Sequence, residues 1–496
     1  MDKESLDPGQ VLDGFKVWTR DIFRNTSDSL IDLVLTIFIL IIVERKTGPS
    51  GLGVYSYFMS LYVMARYFSG WGIVRHVEVM ISATEPKREE ADVLMMTAER
   101  SILYSSSASA LLFAVLSVSG AVFTRVDESA FAYVLVGLAV VLYNYNDLRI
   151  SSLGGWGDHD LSVSIKFKRR IALFLSVIVL SGIGISPSYL VIAFLISELV
   201  ASVLLNKGGY PVLYKGKVSM ADIRHVFREG SSRLFVGDAI KFVLLADFFV
   251  LGMFVTSSDL GLYAEATVLG RLFLLVPISL RPVISQRLLR AAQIEGRRSA
   301  AKRLNVYIML SFFFHSFAAI FAALHFRETM GFMFSDFGMP RLSVGVFLVL
   351  LPGLLAYSTM IIAESAYEVS QKVHVLRGIT MTILALNLAL NLYLVPYAGI
   401  YGAASATSLT LFAYLLVFGK GLKRELLAFK SPMITAGFSA YLLYSLLSWA
   451  ETGLMADMLL VPAGTLAMYW LSGYFSDIIS PDDRANEIIR NGGVNG

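Results

Sequence analysis

The chain contains no cysteine among its 496 residues. That excludes disulfides, thiolate metal sites and covalent thiol catalysis. Charge is scarce as well: 16% of residues are charged, against about 25% in an ordinary soluble domain. The six histidines, His76, His159, His225, His315, His325 and His374, are scattered with no pair at metal-ligand spacing. No phosphate-cradling GxxxxGK(S/T) loop occurs, so an ATP-driven activity needs a partner subunit. Residues 1–28 lack the short apolar core and small-residue cleavage site of a signal peptide. No nucleic-acid partner and no cofactor are expected.

What the chain has in excess is hydrophobicity. Apolar residues make up 56% of it, the mean hydropathy is +0.65, and runs of about 20 apolar residues recur along its length. The pattern predicts an all-α polytopic membrane protein rather than a large soluble core. Outer-membrane barrels need alternating segments of about 10 residues, and none are seen.

The apolar-length criterion predicts about fourteen spans. They are 29–43, 52–75, 102–123, 130–148, 171–186, 188–206, 234–255, 260–280, 304–325, 342–367, 375–395, 399–419, 432–449 and 455–475. Charge placement supports that topology with both termini cytoplasmic. Of the 42 Lys and Arg, only Arg45, Lys46, Arg125, Arg327 and Arg341 fall in outside loops, and only Arg66, Lys241 and Arg271 fall inside spans, with Arg75 and Arg377 at the inner ends of theirs counted as cytoplasmic. All the rest lie on the cytoplasmic side, as the positive-inside rule demands. Ahead of the first span, Val11, Phe15, Trp18 and Ile22 share one helical face, with Asp13, Lys16, Arg20 and Arg24 opposite. An interfacial helix and a helix packed on protein both satisfy that pattern.

The chain also repeats. Asp21-Ile22-Phe23-Arg24-Asn25-Thr26-Ser27 before span 1 matches His225-Val226-Phe227-Arg228-Glu229-Gly230-Ser231 before span 7. Gly51-Leu52-Gly53-Val54-Tyr55 after span 1 matches Asp259-Leu260-Gly261-Leu262-Tyr263 after span 7. An arginine follows in each second helix, Arg66 and Arg271. Both copies start from the same side, so the repeat is parallel, as in transporters that bind substrate at the midplane between two halves. The expected organisation is a cytoplasmic amphipathic segment 1–28, a first lobe 29–206 and a linker 207–233. A second lobe 234–420, two further spans in 421–475 and a cytoplasmic tail 476–496 complete it.

Several residues carry chemistry. An ionisable side chain at membrane depth costs at least about 2.5–3.5 kcal/mol and marks a polar interior or a transport path. Helical rise places Lys241 about 10 Å, and Arg66 and Arg271 about 14 Å, above the inner ends of their spans. Asp247 and Glu265 lie about 12 Å and 8 Å from the outer face. The cations suit an anionic ligand, whose oxygens arginine's planar fork can engage in pairs. Structural ion pairing is the competing reading, with Asp238 for Lys241 and Asp247 for Arg271. Asp247 is a candidate proton or Na⁺ site, with Glu265, Glu198 and Glu364 as further acids. The run Tyr143-Asn144-Tyr145-Asn146-Asp147 could hydrogen-bond a polar ligand through Tyr143, Asn144 and Asn146, or serve as an interfacial aromatic anchor.

Three stretches resemble polysaccharide flippases of the Wzx type, within the multidrug/oligosaccharidyl-lipid/polysaccharide exporter superfamily. They are Glu44-Arg45-Lys46-Thr47-Gly48-Pro49-Ser50-Gly51-Leu52-Gly53-Val54-Tyr55, then Ala246-Asp247 with Gly252 and Gly261-Leu262-Tyr263, and Pro396-Tyr397-Ala398-Gly399-Ile400-Tyr401-Gly402-Ala403-Ala404. The resemblance covers spans 1–12. It implies a two-lobed transporter with about fourteen helices in two pseudo-symmetric six-helix lobes plus two C-terminal helices. Such a protein moves a polyprenyl-pyrophosphate-linked oligosaccharide from the inner to the outer leaflet of a bacterial or archaeal cytoplasmic membrane. The implied mechanism is alternating access driven by H⁺ or Na⁺, with membrane lipids and glycan polymerase machinery as partners. A lipid II flippase and a multidrug or cation antiporter are the alternatives within the superfamily, and a membrane glycan polymerase or ligase is the alternative from another class.

Overall fold

A computed structural model of the chain describes residues 8–426 apart from 85–87, 124–129, 208–217, 234–238, 295, 335–339 and 370–372. The side chains of residues 1–30 and those of Lys241 and Arg271 lie outside the described residues. The amphipathic pattern expected before span 1, the Asp238 pairing of Lys241, and spans 13 and 14 fall there too. The chain divides into two compact units, Met1–Phe429 and Lys430–Gly496, and every described element belongs to the first.

No strand occurs among the described residues. The helices are α1 (Pro8–Gly70), α2 (Ile73–Thr84), α3 (Arg88–Phe123), α4 (Ala130–Gly155), α5 (His159–Gly182) and, after a 3₁₀ turn over Pro187–Val191, α6 (Ile192–Lys207). They continue as α7 (Met220–Arg233), α8 (Ala239–Phe254), α9 (Ser257–Ile294), α10 (Arg297–Met333), α11 (Pro340–Ala363), α12 (Ser365–Val369) and α13 (Val373–Leu426). Among the described residues, five segments are long and apolar enough to cross a membrane: Ala130–Gly155, Pro187–Lys207, Leu272–Ile294, Leu342–Tyr367 and Val375–Leu415.

Two of the helices fold back on themselves. In α1 the chain leaves helical geometry at Gly48, with φ of 70°, just before Pro49. In α13 it does so at Gly399, with φ of 53°, just after Pro396. Glycine tolerates these left-handed angles, and Pro49 has no N–H to lose at the start of the next helical segment. The contacts require the reversal. Asn387 and Thr407 are hydrogen-bonded at 3.2 Å, although a straight helix would hold them about 30 Å apart. Likewise Asp32 pairs with Arg170, while Arg66, far along the same element, lies against the ring that Arg169 also touches.

The expected second span, 52–75, is shorter than its apolar run suggests. It stops at Gly70, and Trp71 and Gly72, both with positive φ, turn the chain into α2. The apolar face of α2 (Ile73, Val77, Ile81) packs with Met95, Ala98, Ile102, Leu148 and Val226. Val226 comes from α7, so the linker between lobes is partly helical and docked. A capping box starts α7. The Asp222 N–H donates to Ser219 Oγ at 3.1 Å, and the Ser219 N–H and hydroxyl donate to the Asp222 carboxylate at 3.2 and 2.6 Å. Those bonds hold the exposed Asp222 carboxyl below its ordinary range.

In the second lobe α11 runs through the middle. Every residue from Leu350 to Tyr367 is buried, which is the environment an all-round apolar helix requires. Small residues allow the close approaches: a Cβ on Gly353 would stand 2.6 Å from Ser408 Cα. The most extensive packing between the lobes is that of α1 on α9.

Candidate functional site

Three polar assemblies and one inter-lobe seal stand out within the apolar bundle. In the first lobe, Arg66 is enclosed by aromatic faces, with its guanidinium carbon 4.4 Å from the Tyr143 centroid, 5.5 Å from Tyr67 and 5.8 Å from Tyr62. One turn of helix separates Tyr62 from Arg66, so both project to the same side of α1. Arg169 of α5 lies 4.6 Å from the same Tyr143 ring. It reaches Glu198 of α6 at 3.7 Å and Asp147 of α4 at 3.8 Å. Glu198 also accepts from the Tyr62 hydroxyl at 3.1 Å and the Asn146 amide at 3.2 Å.

The two guanidinium groups differ in what they touch. Arg169 is engaged by carboxylates. Arg66 makes no hydrogen bond or ion pair with the described residues; the three rings surround it, and the Asp147 carboxylate acts on it through space. Each ring contact contributes about 0.5–2 kcal/mol while leaving the N–H donors uncommitted. Asn144, on the adjacent turn, donates to Ser69 Oγ at 2.7 Å and Ser106 Oγ at 3.0 Å. The amides of Asn144 and Asn146 are thus both engaged between helices of the first lobe.

A related assembly sits in the second lobe. Arg281 of α9 pairs with Glu364 at 2.7 Å, and Tyr414 of α13 donates to Glu364 at 2.9 Å. Glu364 stands at the break between α11 and α12. Helix-end acids are commonly solvated, which is what their positions in the sequence suggest for both Glu198 and Glu364. The structure corrects this, since they are 2% and 1% exposed. Arg169 and Arg281 read as cytoplasmic charges in the sequence, yet their side chains are only 10% and 12% exposed. The helices run on past the apolar windows, so an arginine just beyond a window still lies inside the bundle.

The third assembly surrounds Asp247 of α8, which is fully buried. Tyr263 of α9 donates to Oδ2. Thr407 approaches both oxygens at 2.8 and 2.7 Å, and the Asn391 amide donates to Oδ1 at 2.9 Å. The α13 hairpin creates this cradle by laying Asn387 and Asn391 beside Thr407. The side-chain oxygens of Asn387 and Asn391 are buried and accept no hydrogen bond from the described residues. Asp247 is therefore held by neutral donors of the second lobe.

The seal joins the turn of α1 to the turn between α8 and α9. A Cβ on Gly53 would overlap the Ser257 carbonyl, and one on Gly261 would overlap the Pro49 carbonyl. The same sequence offset carries Gly53 to Gly261 and Pro49 to Ser257, so the two contacts are one contact repeated by the internal symmetry. The repeated turns, matching strings in the sequence, thus meet face to face. Tyr57 rests its ring on Gly252 in the same seam. On α9, the buried Glu265 accepts from the Ser343 hydroxyl of α11 at 3.2 Å.

Of the cations expected at membrane depth, Arg66 is placed by the structure, while the side chains of Lys241 and Arg271 are outside the described residues. Arg169, Arg281, Asn387, Asn391 and Thr407 complete sites that sequence reasoning leaves incomplete.

Neither a protein-family model nor a curated protein sequence matches the chain. Solved structures do match it. A lipid II flippase, MurJ, in an inward closed conformation aligns with a TM-score of 0.66 at 14% identity, covering 92% of this chain and 99% of that one. An inward-facing MATE-family multidrug resistance transporter of the MOP superfamily aligns at 0.65 and 13% identity, covering 81% of this chain and 96% of its own. An outward-facing MATE transporter aligns at 0.53 and 13% identity over 83% and 96%. The chain is a multi-pass helical membrane protein with the two-lobe fold of MOP-superfamily transporters.

Proposed function

We propose that the protein is a flippase that carries a polyprenyl-pyrophosphate-linked oligosaccharide between the leaflets of a bacterial or archaeal cytoplasmic membrane by alternating access. The observation that supports this reading is Arg66, a guanidinium enclosed by three tyrosine rings with its donors uncommitted. Such a group suits a diphosphate, which accepts paired hydrogen bonds from one fork. By their positions in the sequence, Lys241 and Arg271 would add positive charge in the second half of the chain. The sugar would meet the tyrosine faces, Tyr143 foremost, because the amides of Asn144 and Asn146 are turned into the lobe. The lipid tail stays in the bilayer, and a glycan polymerase takes the flipped product.

The energy source in this proposal is an H⁺ or Na⁺ gradient acting at Asp247. Its carboxylate, the Thr407 hydroxyl and the two unengaged amide oxygens form a set of hard oxygen donors suited to a small cation. Glu198 is assigned a structural role with Arg169. Lipid II itself is the second reading, since it shares the lipid diphosphate chemistry and a lipid II flippase shares the fold.

The deciding measurement is mass spectrometry of the lipid-linked sugar that accumulates when the protein is deleted. An oligosaccharide repeat supports the first reading and lipid II the second; if drug sensitivity rises and no such lipid accumulates, both fall. Complementation with Arg66→Ala should lower export by at least about tenfold, the value of one lost charge-assisted bond, while Arg66→Lys retains part. Asp247→Asn should leave binding of the lipid intact and remove the dependence of export on the ion gradient.

A further inference from the structure

The lobes meet along α1 and α8 at two levels. Near the seal the Tyr57 ring rests on Gly252. Ten residues onward in α1 stands Tyr67, and ten residues back in α8 stands Phe242. The two helices therefore run antiparallel, and the second contact lies about 15 Å further from the seal by helical rise. Phe242 meets Tyr67 at a centroid distance of 4.9 Å and Phe68 at 5.4 Å, with interplanar angles of 62° and 67°. Edge-to-face packing of this kind is what aromatic pairs prefer. Adjacent residues of a helix diverge by about 100°, so Tyr67 and Phe68 form the sides of a notch that one ring fills. Leu384 of α13 backs that ring, and Phe242 is 2% exposed although Phe68 is 44% exposed.

The linker helix reinforces the same end. A Cβ on Gly230 of α7 would stand 2.9 Å from the Trp71 carbonyl oxygen, which follows α1 in the first lobe. The next residue, Ser231, accepts at its carbonyl from Arg377 of α13 in the second lobe at 3.2 Å. Tyr67 has a further neighbour, because its ring also lies 5.5 Å from the Arg66 guanidinium. One side chain is thus shared between the contact of the lobes and the cationic enclosure.

We propose that Phe242 is a latch that, seated between Tyr67 and Phe68, closes the lobes at the end opposite the seal, and that Tyr67 links this closure to Arg66. The inference rests on the reading that the lobes alternate access, which requires the two ends to part separately. At the seal, glycine lies against backbone carbonyl, and only movement of whole helices can part it. The latch is three rings held by weak edge-to-face contacts, so it releases without breaking a hydrogen bond. Arg66 steadies the Tyr67 ring that Phe242 packs on, and removing the guanidinium loosens the notch. The link is reciprocal: whatever the hold of Arg66 on Tyr67 does for the latch, closing the latch does for that hold.

The absence of cysteine makes the test direct. Lys168 of α5 and Gln286 of α9 are exposed, one in each lobe, on the side away from the seal, and Ser50 and Ser258 are exposed beside the seal. Spin labels on Lys168→Cys with Gln286→Cys, in the full-length protein in liposomes, report the latch by their separation. Labels on Ser50→Cys with Ser258→Cys report the seal. Phe242→Ala removes both ring contacts and should raise the ratio of long to short separation at the first pair by about tenfold or more. The second pair should stay short. Tyr67→Leu should act in the same direction, and it is the variant to use if Phe242→Ala does not fold. Arg66→Ala leaves the latch rings in place and should raise the ratio by about threefold. A first pair already long in the parent, one unchanged by Phe242→Ala and Tyr67→Leu, or equal lengthening at both pairs overturns the latch. An Arg66→Ala protein with the parent's distances overturns the link to Arg66. No cargo is needed for this measurement. The latch can therefore stand if the accumulated lipid disproves the flippase reading, and it can fail while that reading survives.

Discussion

The two lobes carry a buried arginine, glutamate and tyrosine in common, yet only the first adds a second arginine with an aromatic enclosure among the described residues. Arg169, Glu198 and Tyr62 in one lobe correspond in kind to Arg281, Glu364 and Tyr414 in the other. These triads tie helices together across an apolar bundle, where a neutralised, hydrogen-bonded pair is tolerated and a lone charge is not. Around that shared scaffold the chemistry diverges. The first lobe offers Arg66 among tyrosines, and the second offers Asp247 among amide and hydroxyl groups. The likeness of the triads is one of chemistry, because the offset that relates the repeated turns does not carry Arg169, Glu198 and Tyr62 onto Arg281, Glu364 and Tyr414.

The comparison can be broken most forcefully at the triads. Arg169→Ala and Arg281→Ala should each destabilise the protein by about 3–5 kcal/mol, because each leaves a buried carboxylate uncompensated. Thermal unfolding in detergent measures this, and Glu198→Gln or Glu364→Gln should restore part of the loss in its own lobe. A neutral Arg281→Ala would show that the resemblance between triads is geometric only.

At the seal, Gly53→Val and Gly261→Val should act alike, since each puts a Cβ into the partner's carbonyl. Overpacking of about 1–3 kcal/mol would weaken the seal and reduce export about tenfold or more. Unequal effects would locate the pivot in one lobe. Arg66→Ala should be milder in stability than Arg169→Ala, about 0.5–2 kcal/mol, although its effect on export is large. That split between stability and transport separates a ligand-facing arginine from a scaffold one.

The smallest effect is expected at the linker helix. The hydrogen bonds from Ser219 lower the Asp222 pKa in the folded state, so their contribution is present above the unfolded value and fades as pH falls through the lowered one. Limited proteolysis of residues 207–233 should become faster in acid, and in Ser219→Ala it should be fast at neutral pH as well.

How legible the site is depends on where each residue stands relative to an apolar run. Arg66, Asp247 and Glu265 interrupt long hydrophobic windows, and the cost of placing charge there makes them visible. Arg169 and Arg281 sit just past the ends of such windows and read as ordinary cytoplasmic charges. Asn387 and Asn391, a turn apart within Asn387-Leu388-Ala389-Leu390-Asn391, leave a usable signal: two amides on one face of a span. Nothing local to Thr407 marks it, because its partners are distant in the chain.

The sequence by itself determined the helical membrane class, the internal repeat and those charges that interrupt an apolar run, Arg66, Asp247 and Glu265. Those follow from run length, charge asymmetry and recurring turns, all of which are local or periodic. Only the tertiary structure decided which charges meet. It brought Arg169 to Tyr143 beside Arg66, folded α13 so that Asn387, Asn391 and Thr407 surround Asp247, and pressed the two repeated turns together at Gly53 and Gly261. The physical reason is that buried polar groups must find partners, and in a bundle those partners come from helices that sequence order does not place side by side.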